Sequence, residues 1–287
     1  MKTFKFTLLI LLTTFLMGSS FAVGKIGLSY SSPLLLAGLR FTIAGFIMAV
    51  IVTVLRKPHP VSKGNWIKML IIGTFQTAGV MGCIFLSLRT ITASESSILT
   101  FTNPLFVVVF GTISLKIRYK FYQWIGVFLG LVGVSIAVGA QIELKIGVLF
   151  GILSAIFWAI STLLVKKWGS HFNTWVLSAY QMLFGGLLLL LGSLFLEKPV
   201  FILNGYSLFI LLWLSIMSSI VQFAVWYYLL QKGDPGKTSA YLFLAPFFGV
   251  LSGWLLLGEA LYPSIIVGGL FIIIGIYLVN RTFQEKK

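Results

Sequence analysis

Asn103-Pro104-Leu105-Phe106 and Ala245-Pro246-Phe247-Phe248 stand 142 residues apart, each within an apolar run, and much of the chain follows the same shift. Phe15-Leu16-Met17-Gly18-Ser19-Ser20 falls on Ile156-Phe157-Trp158-Ala159-Ile160-Ser161, and Lys25 on Lys166, at an offset of 141. Leu39-Arg40-Phe41 falls on Tyr180-Gln181-Met182, and Gly45 on Gly186. Gly126 and Gly133 fall on Gly268 and Gly275. One such pair arises by chance; a shared register marks an internal repeat. The expected halves are 1–140 and 141–287.

Of the 287 residues, 59% are hydrophobic and 9% charged. A soluble domain carries about 25% charged residues, so this chain cannot coat a water-facing surface. Its apolar runs are near 20 residues long and do not alternate, which predicts an all-α membrane protein and argues against a β-barrel. Polar punctuation divides it into ten expected spans, at 6–24, 33–55, 66–88, 93–114, 121–140, 147–165, 174–196, 207–230, 238–257 and 263–280. At 1.5 Å per residue, about 20 residues cross a hydrocarbon core of about 30 Å. Five spans per half is an odd number, so the second half crosses in the opposite sense. Inverted repeats of this kind build secondary transporters, where two equivalent halves move about a central site.

The formal charge of +15 is distributed by side. With the N-terminus in the cytoplasm, sixteen Lys and Arg fall inside: Lys2, Lys5, Arg56, Lys57, Lys63, Lys68, Lys116, Arg118, Lys120, Lys166, Lys167, Lys232, Lys237, Arg281, Lys286 and Lys287. Four fall outside (Lys25, Arg89, Lys145, Lys198), and Arg40 lies within a span. This bias predicts both termini in the cytoplasm and a partner in anionic lipid, not nucleic acid. Met1 to Ala22 has the outline of a signal peptide, but the repeat and the charge count both require it as the first span.

The rare residues narrow the chemistry. Asp234 is the only Asp, and Glu95, Glu143, Glu197, Glu259 and Glu285 are scattered, so no carboxylate cluster for magnesium or phosphate chemistry is expected. His59 and His171 sit in polar connections, and Cys83 is the only cysteine. No metal, cofactor or enzymatic activity is expected.

At this point the chain resembles the EamA-type branch of the drug/metabolite transporter superfamily over both halves. Arg40-Phe41, Pro104, Pro246 and the run Leu257-Gly258-Glu259-Ala260-Leu261 followed by Gly268 and Gly275 carry the likeness. The resemblance implies a ten-helix permease of the cell membrane exporting amino acids or other small metabolites. Ile117 stands where the second half has Glu259, amid Lys116, Arg118 and Lys120.

Pro104 lies about 17 Å into its span and Pro246 about 12 Å into its own. Each removes a helix hydrogen bond, and the freed carbonyl survives in hydrocarbon only against protein or a wet cavity. Pro104, Asn103 and Pro246 are therefore candidate cavity walls, or kinks filled by a neighbour. Gln76, Arg40, Gln181 and Gln222 are polar groups within spans, costly unless used. Arg40 is read either as a fixed cation for a substrate carboxylate or, with preference, as structural: a salt bridge to Glu95 or helix–helix glue. Trp158 and Tyr241 join the candidate binding residues; Glu95, Glu259 and Gln181 are candidate structural or gating residues. The glycines of spans 5 and 10 predict close helix packing, and both spans are expected to stand away from the cavity.

Spans 1 and 6 carry no carboxylate. A cationic drug would lack a counter-charge, and a carboxylate proton switch would be missing. The expected cargo is a neutral or zwitterionic metabolite moved by alternating access. A lipid or lipid-linked flippase and a multidrug efflux protein are the alternative readings.

Overall fold

The structure is a computed structural model and describes residues 3–116, 118–138, 145–232 and 241–280. Lys2, Lys237, Arg281, Lys286 and Lys287 of the charge count, Ile117, and the two termini lie outside the described residues. Among the described residues the chain is helical, apart from an isolated antiparallel bridge between Ser31 and Phe201.

The helices start and stop where local chemistry requires. α1 is Thr3–Gly27, and α2 is Pro33–Val54 with proline in its first turn, where a missing N–H costs no helix bond. α3, Lys63–Ser87, starts at Ser62, whose hydroxyl accepts from Asn65 N, and it contains a π-helical segment, Thr74–Gly79. α4 has two pieces, Ala93–Thr100 and Asn103–Leu115. Thr92 and Glu95 form a capping box on the first piece; Pro104 stands in the first turn of the second. α5 is Phe121–Val138 and α6 is Ile146–Trp168. α7, Thr174–Leu196, is capped by Asn173. α8 runs through Gly205–Ser215, a second π segment at Ile216–Val221, and Gln222–Lys232. α9 is Leu244–Leu257 after the 3₁₀ turn Tyr241–Phe243, and α10 is Pro263–Asn280. α1, α2, α3, α4, α6, α7 and α8 are long and apolar enough to cross a membrane; α5, α9 and α10 are shorter apolar helices.

Two helix pairs form the close contacts, α2 along α7 and α5 along α10. At the first crossing a Cβ on Gly45 would meet the backbone of Leu183, and one on Gly186 would meet the backbone of Thr42. Leu183 follows Thr42 by 141 positions, as Gly186 follows Gly45. At the second crossing Gly126 faces the carbonyl of Gly275, and Gly133 that of Gly268. Here too each contact is the 142-shifted partner of the other. The two π segments, 74–79 and 216–221, are also 142 positions apart.

One end of the bundle is tied by polar contacts between connections. Ser32 N donates to Val200 O, and Ile202 N to Tyr30 O. The Glu197 carboxylate accepts from Leu34 N and Leu35 N at the start of α2 (3.2 and 2.9 Å). Gly258, at φ +64°, turns the chain after α9 and brings Glu259 back onto the start of α4. There Glu259 accepts from Ala93 N (2.6 Å), Ser94 N (3.0 Å) and the Ser94 hydroxyl (2.7 Å). Acceptors of this charge satisfy the unpaired N–H groups of a helix N-terminus and oppose its dipole. Lys25 Nζ donates to Ile91 O beside them.

Pro246 corrects the expectation of a mid-helix kink. It stands in the first turn after the 3₁₀ segment, and is buried in the α1–α9 contact, where a Cβ on Gly18 would meet Ala245 O. The missing N–H therefore breaks no established α-helix. At Pro104 the break is real, at Phe101 and Thr102 between the two pieces of α4.

Candidate functional site

A cavity of about 710 Å³ lies inside the bundle, within the size range of small-molecule sites. Its floor holds Phe21, Phe85, Phe101 and Trp158, with Arg40, Gln76, Gln181 and Gln222 on the walls. It extends to Tyr119, between α4 and α5, and to Gly169 and Ser170, between α6 and α7. No residue of the connections tied together at the opposite end lines it. The cavity thus runs toward the end carrying Lys116, Arg118, Lys166 and Lys167 and stops short of the end closed by Glu197 and Glu259.

Arg40 is the one charged residue of the lining among the described residues and is 3% exposed. Its Nε donates to the Ser219 hydroxyl (2.9 Å) and its Nη2 to Ser218 O (2.8 Å), both in the π segment of α8. Its guanidinium carbon lies 4.7 Å from the centre of the Phe41 ring. The expected salt bridge to Glu95 is not formed. The Glu95 carboxylate instead accepts from Thr92 N and the Thr92 hydroxyl at the capped start of α4. Among the described residues Arg40 has no carboxylate partner, and Nη1 has no hydrogen bond. A buried guanidinium stays protonated, so it places an uncompensated positive charge beside the cavity.

Gln181 is the counterpart of Arg40 in the other half. Its Oε1 accepts from the Thr77 hydroxyl at 2.6 Å, in the π segment of α3. Gln76 Oε1 accepts from the Ser161 hydroxyl at 2.7 Å. A π segment leaves a carbonyl without its usual partner; at α8 the Ser219 hydroxyl fills one such acceptor, Leu214 O. Across from these, Asn103 and Pro104 stand in the lining at the break of α4. The structure therefore brings Arg40, Gln76, Asn103, Pro104, Trp158, Gln181 and Gln222 to one cavity.

Pro246 and Tyr241 are not in the lining; Tyr241 stands at the surface with its ring edge against Phe6. Glu95 and Glu259 sit at the closed end as helix caps. α5 stays away from the cavity, but Val279 of α10 reaches it, correcting the expectation that both would stand apart. Thr77, Ser218, Ser219, Phe101 and Tyr119 escape sequence reasoning. The 142-residue shift places Thr77 on Ser219, and that hydroxyl match was the available signal. Burial holds the Tyr119 phenol above its ordinary ionisation range.

A bundle of apolar helices around a central, mostly apolar cavity with a few inward polar groups defines a multi-pass membrane protein that handles small molecules. The profile of the EamA-like transporter family matches residues 5–139 and again 145–281, and the chain belongs to that family. It is a transporter of small molecules by that membership. Two relatives in Bacillus subtilis (strain 168), the uncharacterized transporters YoaV and YvbV, are 27% and 30% identical to it, covering 97% and 98% of this chain and 97% and 93% of theirs. A Salmonella typhimurium protein named a probable amino-acid metabolite efflux pump is 26% identical over 97% of this chain and 96% of its own. A crystal structure of another protein shares the fold at a TM-score of 0.66 and 21% identity, covering 96% of both chains.

Proposed function

We propose that the protein is a ten-span secondary transporter of the cell membrane, built of two inverted repeats at 1–140 and 141–287 with both termini in the cytoplasm. It exports small carboxylate-bearing metabolites, the class that includes amino acids, by alternating access. The reciprocal glycine crossings and the matched π segments support the inverted repeat, and the lysine-rich end of the cavity supports an inward-open state. The name of the Salmonella relative is consistent with the cargo class.

One observation carries the cargo reading. Arg40 is a buried cation at the cavity with no carboxylate partner among the described residues, and such a charge is costly without a partner. A substrate carboxylate supplies that partner and receives Nη1. The decisive test is counterflow in proteoliposomes of the purified protein, with a panel of labelled amino acids, hydroxy acids and oxo acids. Exchange above protein-free vesicles for at least one carboxylate, lost in a folded Arg40→Gln variant, is expected. A panel with no exchange, or exchange indifferent to Arg40→Gln, refutes it.

A further inference from the structure

The polar groups of the cavity do not present themselves evenly. Gln76 and Gln181 each have the amide oxygen occupied from behind, by Ser161 and Thr77. Neither amide nitrogen has a hydrogen bond among the described residues, and neither is sealed from the cavity. Their free ends are therefore N–H donors. Arg40 Nη1 is a third donor, and the indole N–H groups of Trp158 and Trp226 can only donate. The Ser20 and Thr162 hydroxyls give their protons to Met17 O and Trp158 O, so these two are acceptors toward the cavity, and the excess of donors rests on Arg40, the two glutamines and the indoles. Among the described lining amides only Asn103 and Gln222 have a side-chain oxygen without a hydrogen bond.

Charge points the same way. Among the described residues the lining has one cation and no carboxylate. A bound monoanion brings the site to neutrality. A zwitterion leaves it at +1 and places an ammonium, which has three donors and no acceptor, in the field of the guanidinium, where low dielectric strengthens the repulsion.

We propose that the cavity selects carboxylates without an ammonium group, such as 2-oxo acids or N-acylated amino acids, over free amino acids of the same side chain. The selection rests on the transport reading above and narrows the cargo of that same site. Thr77 and Ser161 enforce it as positioning residues, by holding the amide oxygens of Gln181 and Gln76 away from the cargo.

Three labelled probes sharing an isobutyl group test it in counterflow with the wild-type protein: 4-methyl-2-oxopentanoate (monoanion), leucine (zwitterion) and leucinamide (cation at neutral pH). The oxo acid is expected to exchange about tenfold or more faster than leucine, and leucinamide to move at the protein-free rate. This ranking needs no variant. In Thr77→Val the Gln181 amide is free to turn its oxygen inward, so the oxo acid to leucine ratio is expected to fall while the melting temperature changes little. A purely structural role for Thr77 would lower both rates together and leave the ratio unchanged. Leucine exchanging as fast as the oxo acid, or leucinamide exchanging through the protein, overturns this selectivity and leaves the transport reading intact. Exchange of none of the three overturns both.

Discussion

Arg40 and Gln181 occupy matching positions on α2 and α7, and each reaches a hydroxyl in the π segment of the opposite half, Arg40 at Ser219 and Gln181 at Thr77. The two contacts are geometric counterparts with unequal chemistry, one charged and one neutral. An inverted repeat gives the same scaffold twice; the difference between Arg40 and Gln181 makes the cavity electrically one-sided.

That inequality sets an order of stabilities. Ser219→Ala removes a partner from a buried guanidinium and is expected to cost about 1.5–3 kcal/mol, whereas Thr77→Ala removes a neutral bond worth about 1 kcal/mol. Thermal unfolding of the two variants in one detergent measures the order. Equal costs would mean that the Arg40 charge is met by solvent in the cavity.

The glycine crossing of α2 and α7 allows no methyl group. Gly45→Ala and Gly186→Ala are each expected to destabilise by about 1–3 kcal/mol, since the new Cβ meets backbone and not a movable side chain. Gly64→Ala, with open space around it, is the matched control and should stay within about 0.5 kcal/mol. Melting temperatures that fail to separate these variants would contradict the crossing.

The closed end depends on Glu259. Replacing it by Gln keeps an acceptor but removes the charge opposing the α4 dipole, an expected loss of about 0.3–1 kcal/mol. Glu259→Ala also leaves the Ala93 and Ser94 N–H groups unpaired, an expected loss of about 1–3 kcal/mol. Hydrogen exchange at residues 93–96 should accelerate in the same order, with Ala ahead of Gln.

Tyr119 contributes a pH dependence outside the membrane-spanning helices. Burial favours its neutral form, so its folded pKa lies above the unfolded value of about 10. The associated stability is complete below that value and is lost as pH rises through the folded pKa. Unfolding followed from pH 8 to 11 should show a steeper alkaline decline for wild type than for Tyr119→Phe. Identical slopes would remove Tyr119 as the cause.

Helix placement was legible because few features compete with a 20-residue apolar run. α2 was expected at 33–55 and is Pro33–Val54; α7 was expected and observed at 174–196. That α5 and α10 pack closely was legible from their glycines; that they pack on each other was seen only in the structure. Partner choice was not. Arg40 within α2 and Glu95 at the outer end of the neighbouring span carry opposite charges, which suggested a bridge, but the capping box at Thr92 is a local, three-residue contact and takes Glu95 first. Glu197 drew no reading because an acidic residue after α7 looks like a solvated connection until the start of α2 is seen above it. The π segments were hidden because 74–79 and 216–221 share only a hydroxyl position, Thr77 on Ser219, and no sequence signal marks an extra residue in a helical turn.

The hydrogen bond from Thr77 to Gln181 also bears on how such a pore changes its diet. Thr77 is not in the cavity lining, yet it decides which end of the Gln181 amide the cargo meets. A mutation at Thr77 or Ser161 can therefore re-tune the choice of cargo without altering the shape, volume or lining of the chamber. Relatives with identical walls can carry different cargo, and the residues separating them would be found one layer behind the surface that the cargo touches.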